Sequence, residues 1–180
     1  MSRLFYSLFL LAGMVGLLTG CVSNYDTLEP IPEYPALEAK FDQSATVDFR
    51  PGEDAALNKI VLGKFTECGY TDVISGAHYK SVSNKPVWIV SPLDLTQTIL
   101  RCQDGYYLES RILLMVRKPG QIVNGELVYP TPRYFQAFSQ IRIQNSTALP
   151  DENIRGIGQA VDNLFTSAEF RSAMAAGSGN

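Results

Sequence analysis

Five consecutive apolar side chains, Ile112-Leu113-Leu114-Met115-Val116, sit inside the stretch Tyr106–Arg117, which contains neither proline nor glycine. On a strand, neighbouring side chains point to opposite faces, so such a run needs cover on both sides. A sheet with further layers packed on it is the architecture this favours. The segments around the run supply both strands and helices.

From Ser44 onward the two patterns alternate. Thr46–Arg50 places Val47 and Phe49 on one side of a short strand. Pro51-Gly52-Glu53-Asp54 then suits a helix start, with early acids favoured by the helix dipole. Leu57, Val61, Phe65 and Cys68 recur at near-helical spacing, and Gly69 stands where a left-handed residue closes a helix. Tyr70–Ile74 reads as the next strand, completing a strand–helix–strand unit. A second unit is expected after a polar loop. Val87–Val90 is strand-like, Ser91 suits an N-cap, Pro92 the first helical position and Asp94 the reciprocal contact of a capping box. That helix is expected to reach about Cys102 and end near Gly105, before the strand Tyr106–Arg117.

The remaining elements are a hairpin, a long strand and two helices. Asn124-Gly125 is a strong two-residue turn signal between Gln121–Val123 and Glu126–Tyr129. Pro130 and Pro132 precede the strand Arg133–Gln144, where Phe135, Ala137, Ile141 and Ile143 share one face. Pro150 and Asp151 open a helix with the stripe Ile154, Ile157, Val161, Leu164 and Phe165. Gly156 and Gly158 weaken that helix by roughly 1 kcal/mol each relative to alanine, unless they permit close helix–sheet contact. Ser167–Met174 suits a short final helix. The expected fold is therefore α/β, a single domain with helices packed on a mixed sheet of five or six strands.

The chain's 180 residues suit one such domain. The boundaries follow from composition: a signal over residues 1–20, a proline-containing acidic tether over 21–42, the domain over 43–175 and a frayed, disordered tail over 176–180. Between Val22 and Asp42 five acids face Lys40 alone, leaving 13 acids and 13 bases in residues 43–180. A nearly neutral domain offers no broad field for a polyanion, which argues against a nucleic-acid partner. Pro30, Pro32 and Pro35 favour extended backbone, so the tether could span roughly 60 Å. Alternatively it lies along the domain, with Tyr25, Leu28, Ile31 and Tyr34 as anchors.

The N-terminus is a processing signal. Arg3 precedes a fifteen-residue apolar run from Leu4 to Leu18, about 22 Å of helix against a hydrocarbon core of ~30 Å. That length fits a secretory signal better than a membrane span. Leu18-Thr19-Gly20-Cys21 resembles the lipobox of bacterial lipoproteins. The resemblance covers only these first residues. It implies cleavage between Gly20 and Cys21, a diacylglycerol joined to the Cys21 thiol, and a further fatty acid such as palmitate on the new amine. A nucleophilic sulfur is what the thioether chemistry needs, and two or more chains make attachment to a membrane stable. Val22, rather than an aspartate, follows the cysteine, which in Gram-negative lipoproteins of this type implies sorting to the outer membrane, at its periplasmic face.

Two cysteines remain. Cys68 and Cys102 both fall at expected helix ends, and parallel units on one sheet face would make them neighbours. An exported, oxidising setting permits a disulfide there, while two unrelated buried thiols are the plainer alternative. Their spacing, without paired histidines, does not suggest zinc.

No catalytic set, cofactor or metal site is expected. His78 is the only histidine and sits in a polar, loop-like stretch. There is no Gly-x-Ser-x-Gly elbow and no phosphate loop. Glu109, Glu126, Asp151 and Glu152 show no spacing that sets two carboxylates across a cleft; Asp151 and Glu152 suit a helix N-terminus. The least ordinary segment is Tyr129-Pro130-Thr131-Pro132-Arg133-Tyr134-Phe135. Aromatic residues and arginine are enriched at interface hot spots, which makes Tyr129, Arg133 and Tyr134 candidate partner contacts. A rigid connection with core-facing aromatics is the competing reading. The expected role is a non-catalytic envelope lipoprotein, an accessory or assembly subunit with a protein partner. The alternatives are a tethered cell-wall hydrolase and a lipid- or small-ligand-binding module.

Overall fold

The structure, a computed structural model, describes residues 25–31, 41, 43–75, 87–118 and 120–175. The signal segment, Cys21, His78 and the tail over 176–180 lie outside the described residues. A mixed sheet of five strands carries three helices on one face. Its strands run in the order β2 (Val73–Ser75), β1 (Thr46–Phe49), β3 (Val87–Cys102), β4 (Gly105–Arg117) and β7 (Arg133–Ile143). β1 is parallel to both β2 and β3, whereas β3–β4 and β4–β7 are antiparallel. The expected α/β class holds. The predicted hairpin, β5 (Gln121–Val123) with β6 (Glu126–Val128), forms a separate two-stranded ribbon rather than joining the sheet. Positive φ at Asn124 (53°) and Gly125 (85°) matches the turn chemistry of that dipeptide.

Helix α1 (Ala55–Glu67) joins β1 to β2. Asp54 caps it, its carboxylate accepting from Leu57 N–H at 2.6 Å. Gly69, at φ 89°, ends it as the sequence suggests. Leu57, Val61 and Phe65 are its buried stripe. Helix α2 (Pro150–Thr166) lies on β4 and β7 beside α1, and α3 (Ala168–Met174) follows after Ser167, whose hydroxyl accepts from Phe170 N–H. Between helices and sheet, Phe65 and Phe170 each stand 4.9 Å from the ring of Phe165. Phe41 adds its ring to this cluster and pairs with Ala175 through an isolated bridge. Of the two glycines in α2, only Gly156 serves close packing: a Cβ there would overlap Ser110 Oγ, while one at Gly158 meets nothing.

The helix expected over Ser91–Cys102 does not form. β3 is a continuous strand of 16 residues. Pro92 is tolerated because its pairing with β1 ends at Val90 and a bulge follows between Pro92 and Asp94. Ser91 donates its hydroxyl to Arg50 O at 3.0 Å instead of capping a helix. The bulge leaves Leu93 as the extra residue and reverses the alternation. Trp88 and Val90 face the helices before it, and Leu95 and Ile99 after it. The unit from β3 to β4 is therefore a hairpin turning at Gln103-Asp104. A second expectation is also revised. Helices cover only one face of β4; on the other, Leu113 and Met115 are half-buried.

Candidate functional site: a docked N-terminal segment and an exposed strand end

The face of the sheet away from the helices is polar near the β3–β4 turn. Glu109, Arg111 and Gln140 alternate with core residues on β4 and β7, so period-two geometry puts them together on that face. Glu109 is buried. It accepts from Arg111 Nε at 2.6 Å and from Gln140 Nε2 at 2.8 Å. Arg111 Nη2 reaches Glu29 at 2.8 Å. Hydrogen bonding to Glu109 first, and to Glu29 second, holds the Arg111 guanidinium still more firmly in its charged form.

Glu29 belongs to the acidic segment 25–31, which is docked on the domain rather than standing free. Asp26 N–H donates to Arg101 O at 2.9 Å, and Arg101 N–H donates to Asp26 Oδ2 at 2.8 Å. The Arg101 guanidinium lies 5.7 Å from the centre of the Tyr25 ring. Of the apolar anchors the sequence offered, Tyr25 and Ile31 stay exposed, and Leu28 is half-buried. Two acids and backbone pairing make the attachment. Beside it, Tyr107 donates its hydroxyl to Asp104 at 2.6 Å, which lowers the Asp104 carboxyl below its ordinary value and raises the Tyr107 phenol.

The opposite end of the sheet gathers the three candidate contacts. Tyr134 is 60% exposed at the start of β7. Arg133 stacks 5.0 Å from the Phe135 ring centre and pairs with Glu169 at 3.2 Å, so part of its reach is already engaged. Tyr129 is exposed beneath Arg117. The structure brings these residues to one end, and adds three that sequence reasoning passed over. Ile122, Val123 and Val128 project from the ribbon, Ile122 at 78% exposure. The hairpin signal was legible. No sequence cue said that its apolar side chains would lack a sheet to pack on.

The cysteines are not brought together. Both Cys68 and Cys102 are free thiols. Cys68 ends α1, where its carbonyl accepts from Gln43 Nε2 at 2.8 Å, close to the start of β1 and hence of β3. Cys102 ends β3, whose 16 residues extend about 50 Å at ~3.3 Å per residue. A disulfide needs Cα atoms within roughly 7 Å, so this pair cannot bridge within one chain. The expectation rested on a helix end at Cys102 that is a strand end. Burial raises both thiols above their ordinary value.

Among the described residues no group of three or more His, Cys, Asp or Glu side chains is placed to hold a metal ion, and no helix is long and apolar enough to cross a membrane. Asp151 and Glu152 stand in the first turn of α2, where Glu152 accepts from Leu149 N–H at 2.8 Å.

No protein-family model matches the chain, and no curated protein does. Among solved structures, a minor lipoprotein from Acinetobacter baumannii is similar at 8% identity, over 73% of this chain and 94% of that one, with a TM-score of 0.43. A PelC dodecamer from Paraburkholderia phytofirmans is similar at 14% identity, over 75% and 96%, with a TM-score of 0.37. The hypothetical protein CT253 from Chlamydia trachomatis is similar at 11% identity, over 72% and 95%, with a TM-score of 0.39.

Proposed function

We propose that the chain is a lipid-anchored envelope protein without catalytic activity, serving as an accessory or assembly subunit at the periplasmic face of an outer membrane. The observation that carries this reading is Leu18-Thr19-Gly20-Cys21, followed five residues later by the docked Asp26. A folded domain begins almost at the acylated residue. The space between sheet and helices supports the same reading, since it is filled by Phe65, Phe165 and Phe170 rather than left as a ligand cavity. The exposed apolar end at Ile122 and Tyr134 suits a protein partner.

Metabolic labelling with an alkynyl fatty acid tests the anchor. The wild-type chain is expected to take up label and to fractionate with outer membranes. Cys21→Ser is expected to lose both. Equal labelling of the two proteins overturns the proposal.

A further inference from the structure

The docked segment and the domain meet through contacts of a particular kind. Asp26, Glu29 and Arg101 are exposed, and water competes for each of the bonds they make. Glu29 and Arg111 form an ion pair that salt can screen. Phe41 is held differently: its ring packs on Phe165, Phe170 and Tyr70. One attachment is polar and superficial, and the other is apolar and packed against the core.

These two attachments lie at opposite ends of the sheet. Asp26 sits at Arg101, beside the β3–β4 turn. Phe41 sits by Tyr70 and the start of β1, the end from which the ribbon also departs. The lengths of chain differ as well. From Cys21 to Asp26 the backbone spans at most about 18 Å, and from Cys21 to Phe41 about 70 Å.

We propose that residues 25–31 are a releasable strap that sets which end of the domain faces the lipid anchor and how far the domain extends from it. Docked, the strap holds the β3–β4 turn against the membrane and directs the ribbon and Tyr134 outward. Released, the strap no longer limits the domain to about 18 Å of chain from Cys21, and the longest reach the chain allows, to Phe41 at the other end of the sheet, is about fourfold greater. Release also uncovers the backbone of β3 at Arg101, whose amide and carbonyl the strap occupies. This inference rests on the lipid-anchor reading.

The test uses the full lipidated chain in vesicles of phosphatidylethanolamine and phosphatidylglycerol that carry an acceptor dye on the headgroup. A donor dye is attached through Gln103→Cys at the turn or Ile122→Cys on the ribbon, in a Cys68→Ser, Cys102→Ala background. With the strap intact, the Gln103 donor is expected to transfer energy far more efficiently than the Ile122 donor. Asp26→Ala combined with Glu29→Ala is expected to abolish or reverse that difference. Amide exchange should show unchanged protection through Leu108–Val116 and lost protection at Arg101. Vesicle flotation with the wild-type difference kept in the double variant overturns the strap alone. Failure of the wild-type protein to float overturns the anchor itself.

Discussion

The two faces of the sheet are built on different principles. Towards the helices, Val90, Ile112, Leu114, Phe135 and Ala137 lie buried in one cluster with Phe165 and Phe170. Towards the strap, Glu109, Arg111 and Gln140 form a hydrogen-bonded row that an exposed carboxylate completes. Apolar burial is insensitive to the direction of a contact but sensitive to its volume. Charged pairing at a surface is worth little, and is readily exchanged for water. One face therefore fixes the fold, and the other can change its partner at small cost.

Substitutions on each face should separate the two. The largest effect is expected at Phe165, which stands at the centre of the aromatic cluster. Phe165→Ala should lose about 3–5 kcal/mol in denaturant unfolding; a loss as small as a surface substitution's would remove the contrast between the faces. Next comes the glycine pair. Gly156→Ala presses on Ser110 and Leu108 and should cost about 1–3 kcal/mol. Gly158→Ala meets open space and should stabilise by up to ~1 kcal/mol. Thermal midpoints that move in the same direction would contradict that assignment.

Smaller changes belong to the polar face. Glu29→Ala removes a partner whose side chain is 62% exposed, so global stability should fall by no more than about 1 kcal/mol. Stability measured in low and high salt should show the difference between wild type and variant shrink as salt rises. Smallest is the effect at Asp104. Its folded-state pKa lies below the ordinary 3.8 because Tyr107 donates to the carboxylate. The contribution is present above the ordinary carboxylate range and is lost as pH falls through the lowered value. Carbon-detected titration should find the Asp104 carboxyl returning towards its ordinary value in Tyr107→Phe.

Most of this architecture was legible residue by residue. The helix start at Pro51–Asp54, the stop at Gly69, the turn at Asn124-Gly125 and the alternation of Phe135, Ala137 and Ile141 are local features, and local features carry their own geometry. β3 misled for a definite reason. Its core-facing residues Val90, Pro92, Leu95 and Ile99 are separated by two, three and four positions because the bulge at Leu93 reverses the alternation. The helix expectation rested on Ser91, Pro92 and Asp94 as a start, and the irregular spacing of the core residues offered no period-two pattern to set against it. The disulfide expectation inherited that error. In the strap, the acidity of the segment was visible, but Arg101 and Arg111 lie 75 and 82 positions away from their partners. Only the hairpin of β3 and β4 brings them into one place.

The ribbon closes on Asn124-Gly125 and forms a two-stranded sheet of its own, apart from the five-stranded one. Codons gained or lost at its tip would leave the register of β4 and β7 untouched. The fold therefore leaves the length and chemistry of that finger open, and what constrains them is the partner it meets. The same position would accept an epitope tag or a reporter peptide without disturbing the fold.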